Sequence, residues 1–116
     1  MINQLRLYKV RPELREMFLA RFRDHAARIM RDRYGFRILA MWVEQDAAQL
    51  RFIYLLSWAD AAEKTEAWRR FMADEEWAEV KRKSRIPAGE PVIEVEDIEL
   101  HAVPFSAPLT PPAPAV

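Results

Sequence analysis

Gln4, Arg6 and Tyr8 alternate with Leu5 and Leu7 near the start of the chain. Strand side chains alternate sides, so the three polar groups form one row and the two leucines another. A guanidinium fork beside a phenol is a donor set suited to a carboxylate or enolate oxygen. The competing reading is structural, with Arg6 paired to Glu94 or Glu96 of the last strand or to a partner chain. The leucines read as the buried face, and the polar row as a face on which something else lies.

His25 sits in an apolar helical stripe, where an imidazole can exchange a proton near neutral pH. A core histidine held by one hydrogen-bond partner is the alternative. Arg21, at the edge of the same stripe, is either a charge for an anionic ligand or a stem reaching past the core to solvent. Trp42, Tyr54, Trp58 and Trp68 supply aromatic surface that can wall a pocket for a planar substrate or simply fill a core; Trp77 belongs to the same set. His25 is thus the candidate catalytic residue, and Arg6, Tyr8, Trp42, Tyr54, Trp58 and Trp68 are the candidate binding residues.

Other chemistry is poorly represented. The chain has two glycines, two histidines and no cysteine, so disulfides, thiolate metal sites and Gly-rich phosphate cradles are excluded. No His-x-x-x-His, Asp-x-Asp loop or G-x-S-x-G elbow occurs. Neither a metal site nor a cofactor site is expected, and the Glu94, Glu96, Asp97, Glu99 cluster reads as a solvated or ion-paired face. Lys and Arg total 18, as do Asp and Glu, and this zero balance argues against nucleic acid. The balance is uneven along the chain. Residues 1–37 carry ten basic and four acidic side chains, and residues 38–80 four and nine, a pattern that fits a basic half meeting an acidic half across an interface. No apolar run reaches membrane-span length and no signal peptide is visible, so a soluble cytoplasmic protein is expected.

The elements that position these residues are set by local signals. One domain is expected over 1–105, with a Pro/Ala-rich tail over 106–116. Pro12 at a first helical turn, and Arg31, Arg33 and Gly35 at the other end, bound a helix over about 12–34. Two strands, 36–44 and 50–58, flank the hairpin segment 45–49. Asp60 with Glu63 resembles a capping box opening a second helix, whose Trp68, Phe71 and Met72 are expected to face inward. Asp74 caps a further helical piece that Pro87 ends. The last strand covers about 91–103. Its apolar spacing, Ile93, Val95, Ile98, Leu100, predicts a bulge near Glu96 or Asp97. The order β-α-β-β-α-β is that of an α+β, ferredoxin-like fold with a four-stranded antiparallel sheet and both helices on one face. Because the middle strands are apolar on both faces, the bare sheet face needs cover, and a second copy packing sheet to sheet would supply it.

Together, Asn-Gln-Leu-Arg-Leu-Tyr at the start, Pro12, His25, Trp42, Asp60, Trp68, Asp74-Glu75-Glu76-Trp77 and Val103-Pro104-Phe105-Ser106-Ala107-Pro108 resemble the NIPSNAP family of the dimeric α/β-barrel superfamily. The resemblance implies a homodimer whose sheets form a barrel, with a pocket in each subunit. Gln4 stands where the family often has Glu, which counts against an acid-base role there; Tyr54 takes a place where His is common; and the pattern near Trp58 differs slightly.

Two functions are expected from these readings. In the first, a small organic ligand binds in a mostly apolar pocket between sheet and helices, with His25 moving a proton, Arg6 and Tyr8 anchoring, and Trp42, Tyr54 and Trp68 as walls. Relatives of this architecture include cofactor-independent monooxygenases and isomerases acting on planar carbonyl or phenolic compounds. In the second, the protein is a non-catalytic adaptor acting through its dimer surface and tail.

Overall fold

The computed structural model describes residues 1–46, 48–84 and 90–109. Strands β1 (Ile2–Val10), β2 (Arg37–Gln45), β3 (Leu50–Trp58) and β4 (Val92–Leu100) form one antiparallel sheet in the order β2-β3-β1-β4. This is the expected ferredoxin-like order.

The first helical region runs from a 3-10 turn (Pro12–Leu14) through α1 (Arg15–Arg21), a π turn (Phe22–Ala26) and α2 (Ala27–Tyr34). Gly35 ends it at φ 69°, a left-handed conformation that a side chain would strain, and its N–H returns to the Met30 carbonyl. α3 (Ala61–Met72) opens where the Asp60 carboxylate accepts from the Glu63 amide at 2.8 Å. The Glu63 carboxylate reaches back to the Ala59 amide at 2.9 Å, one residue earlier than a capping box requires. α4 (Glu75–Lys83) is capped by Asp74, which accepts from the Trp77 amide at 2.8 Å. The helical region after β3 is therefore in two pieces, as its caps imply. The expected stop at Pro87 lies outside the described residues, as does the end of the tail. The β2–β3 turn dispenses with glycine because the Asp46 carboxylate accepts from the amides of Ala48 and Gln49 at 2.8 and 2.9 Å.

The core lies between the helices and one sheet face. Phe18, Phe22, Ile29 and Met30 from the first helical region meet Val10, Phe52, Tyr54 and Leu56 from the sheet, all at most 5% exposed. On β1 the buried side belongs to Ile2, Gln4, Tyr8 and Val10, which share a face with Arg6. This corrects the sequence expectation. The leucines Leu5 and Leu7 point to the bare face, and the polar row lies under the helices. Gln4 is buried there because both ends of its amide find partners, two indoles and a carboxylate.

Two further expectations change. The β1–β4 ladder is regular from Asn3–Leu100 to Lys9–Glu94, and its register shifts only between Lys9 and Val10, which skips Ile93. No bulge falls at Glu96 or Asp97. The three-residue spacing from Val95 to Ile98 is a change of face: Val95 lies opposite Tyr8 on the helix side, and Ile98 opposite Leu5 on the other. Met72, expected inside, is 58% exposed at the end of α3.

The bare face carries Leu5, Leu7, Trp42, Ile53, Leu55 and Ile98, placed together by the strand registers. Trp42 is half exposed. No described helix is long and apolar enough to cross a membrane.

Candidate functional site

The polar row of β1 becomes a hydrogen-bonded floor. Gln4 Oε1 accepts from the indole N–H of Trp58 at 2.9 Å and of Trp68 at 2.8 Å, while Nε2 donates to Asp97 at 2.8 Å. Asp97 also accepts from Arg6 at 2.7 Å. The strand register explains this meeting, since Arg6 lies directly opposite Asp97 on β4 and Tyr54 on β3. Sequence reasoning missed both Gln4 as a hub and Asp97 as its anchor. The signal available was a Gln among hydrophobic residues with tryptophans elsewhere, which gives no hint of pairing.

The Arg6 guanidinium donates to the Tyr8 hydroxyl at 3.3 Å and lies 4.4 Å from the Trp68 ring centroid. Tyr8 and Tyr54 meet hydroxyl to hydroxyl at 2.6 Å. Burial works against the Arg6 charge, but the electronegative phenol oxygens of Tyr8 and Tyr54 outweigh it and hold Arg6 firmly protonated. Burial, reinforced by Tyr8, pushes the Tyr54 phenol well above its usual pKa, so it stays neutral.

Above this floor is a cavity of about 160 Å³ between sheet and helices. Six aromatic rings line it, Tyr8, Phe18, Phe22, Trp68, Phe71 and Trp77, and Arg6, Arg21 and Lys81 stand among them. An apolar cavity of roughly 150 Å³ takes one benzene-sized ring. Arg6, Tyr8 and Trp68 of the sequence candidates are thus brought to one wall. Tyr54 supports Tyr8 from beneath with no exposed surface, and Trp58, 1% exposed, holds Gln4. Trp42 projects from the opposite sheet face, away from this cavity.

His25 does not line the cavity. It borders a separate surface groove of about 470 Å³ with Asp24, Glu76, Glu79, Lys83 and Ser84. His25 lies within the π turn Phe22–Ala26, where the backbone departs from a regular 3.6-residue projection and Phe22 and Ala26 are the residues turned into the core. The apolar stripe read from spacing alone therefore misplaces His25. Its Nδ1 is buried without a hydrogen-bond partner. Arg21 borders both spaces. It is 6% exposed and donates to Glu90 at 2.7 Å and to the Ser84 hydroxyl at 3.2 Å.

The arrangement can hold a flat ring and offer it donors from a guanidinium and a phenol. It brings no carboxylate or imidazole to the cavity from the described residues, and among those residues no group of three His, Cys, Asp or Glu is placed to hold a metal ion.

A family model described as NIPSNAP matches residues 3–106. No curated protein matches the chain. Among solved structures, an uncharacterized NIPSNAP-like domain protein from Burkholderia xenovorans is 23% identical, with 95% of this chain and 91% of that chain covered and a TM-score of 0.77. A NIPSNAP family protein of unknown function from Agrobacterium tumefaciens is 18% identical over 95% and 94% of the two chains, with a TM-score of 0.78. An antibiotic biosynthesis monooxygenase is 19% identical over 90% and 100%, with a TM-score of 0.56. At these identities the structural likeness speaks to the fold alone.

Proposed function

The chain belongs to the NIPSNAP family, and from that premise we propose that it works as a homodimer that binds a small planar organic compound in the cavity beneath its helices. The observation that carries this reading is the floor of the cavity. Arg6 and Tyr8 stand at the edge of a recess walled by six aromatic rings, and a few polar groups converging on an aromatic-lined recess are the usual make-up of a small-molecule site. The ring-sized volume sets the scale of the compound, and the Arg6–Tyr8 pair would orient it.

The homodimer reading is supported by the bare sheet face. Leu5, Leu7, Trp42, Ile53, Leu55 and Ile98 form a contiguous apolar surface opposite the helices, with Trp42 half exposed and the others half-buried, and a second copy would cover it with matching chemistry. The fold likeness to an antibiotic biosynthesis monooxygenase makes planar phenolic and carbonyl compounds the first to screen. Binding is favoured over turnover because His25 faces the other groove.

Phenol titrated into the 15N-labelled protein tests the cavity. Saturable shifts of the Trp68 and Trp77 indole N–H signals are expected, and Ala26→Phe, which fills the cavity from the π turn, should remove them. Absence of saturable shifts in the unmutated protein overturns the reading.

A further inference from the structure

The charges around the cavity do not balance. Arg6, Arg21 and Lys81 line it, and none of its described lining residues is acidic. Arg6 is neutralised by Asp97 and Arg21 by Glu90, each at 2.7 Å, and neither carboxylate reaches the cavity wall. Lys81 makes no ion pair among the described residues; its ammonium lies 5.7 Å from the Trp77 ring centroid. Among the described residues one positive charge is therefore left over beside a largely apolar, aromatic-walled space.

Arg6 does not supply this charge. Arg6 Nε is buried without a hydrogen-bond partner, although the other two guanidinium nitrogens are engaged with Asp97 and Tyr8. A buried donor left open is unfavourable. The Nε has essentially no accessible surface, so a group bound in the cavity cannot reach it, and the charge left to pair with a ligand is that of Lys81.

We propose that the cavity selects an anion, a single-ring aromatic carboxylate whose ring packs among Tyr8, Trp68 and Trp77 and whose charge is balanced by Lys81. The assignment rests on the reading of the cavity as a ligand site. A neutral ring gains the packing but not the charge, and a cationic ring meets an uncompensated ammonium. Charge-assisted hydrogen bonds are roughly twice as strong as neutral ones, so charge rather than shape sets the preference.

Benzoate and benzamide have nearly the same outline and differ in charge, which makes them the probes. Both are titrated into the full chain at pH 7 and followed by the Trp68 and Trp77 indole signals. Benzoate is expected to bind about tenfold more tightly than benzamide, with the advantage shrinking as salt is raised. In Lys81→Met, which keeps the apolar stem and removes the ammonium, that advantage should fall to about twofold while benzamide affinity is unchanged. Equal affinities in the unmutated protein overturn the anion assignment and leave the cavity as a ring site. A benzoate advantage that Lys81→Met leaves intact overturns the assignment of the charge to Lys81. If neither probe gives saturable shifts, the cavity reading falls, and this inference falls with it.

Discussion

Tyr8 and Tyr54, diagonal neighbours on β1 and β3, hold their hydroxyl oxygens 2.6 Å apart in the helix-side core. The pair joins a residue that lines the cavity to one with no exposed surface. Its two halves are unequal, because Tyr8 is also bonded by Arg6.

That inequality predicts the order of two mild substitutions. Tyr54→Phe leaves the Tyr8 hydroxyl with Arg6 and should cost about 1 kcal/mol. Tyr8→Phe leaves the Tyr54 hydroxyl buried without this partner and should cost about 1–3 kcal/mol. Urea unfolding of both variants checks the ranking, and an equal or reversed order contradicts it. The raised Tyr54 pKa has a consequence in alkali. Its neutral form is favoured by folding, so its contribution is full below the unfolded tyrosine value of about 10 and is lost as pH rises toward the higher folded value. Tyr54→Phe should flatten the alkaline loss of stability.

Gln4→Leu should be among the most damaging substitutions of similar volume. It strands the indole N–H groups of Trp58 and Trp68 and removes the donor to Asp97. With roughly 1–3 kcal/mol for each stranded buried group, a loss of about 3 kcal/mol is expected. Thermal unfolding measures it, and a loss under about 1 kcal/mol would show that the hub is dispensable.

Asp74 ties α4 to α2. Its carboxylate accepts from Arg33 and from the Tyr34 hydroxyl, each at 2.6 Å, as well as from the Trp77 amide. Burial alone would raise its pKa, but the Tyr34 hydroxyl, the Trp77 amide and Arg33 together bring it below the ordinary value. A depressed folded pKa contributes stability above the unfolded value of about 3.9, and this is lost as the pH falls toward the folded value. Asp74→Asn should cost about 1–2 kcal/mol at pH 7 and unfold less steeply with acid below about pH 4. Acid titration followed by circular dichroism compares the two curves, and parallel acid transitions would contradict the assignment.

Leu55→Arg tests the proposed dimer. Leu55 lies on β3 in the middle of the bare face, between Leu5 on β1 and Ala40 on β2. A charge there should convert a dimer seen by light scattering into a folded monomer, since burying an unpaired charge in an interface is strongly unfavourable. A dimer of unchanged mass would place the interface elsewhere.

The element order, both helix caps at Asp60 and Asp74, and the left-handed stop at Gly35 were legible in the chain because each depends on residues within one turn of one another. The NIPSNAP resemblance was legible for the same reason, being a string of local matches. The candidate site was less so. Arg6, Tyr8 and Trp68 were singled out as types, but Gln4 as their hub, Asp97 as their anchor and Lys81 as a charge with no ion pair among the described residues were not, since pairing across distant elements leaves no local mark. His25 was placed on the wrong side by a regular helical projection, which a π turn invalidates.

By itself, the sequence determined that β1 has two unlike faces and that the neighbouring strands are apolar on both; a period of two states that much and no more. Which face the helices would cover was decided only in three dimensions. Burying Gln4 and Arg6 is feasible because Trp58 and Trp68, 54 and 64 positions from Gln4, and Asp97, 91 positions from Arg6, arrive with the complementary donors and acceptor. Leu5 and Leu7, which need no partner, can be left to the bare face.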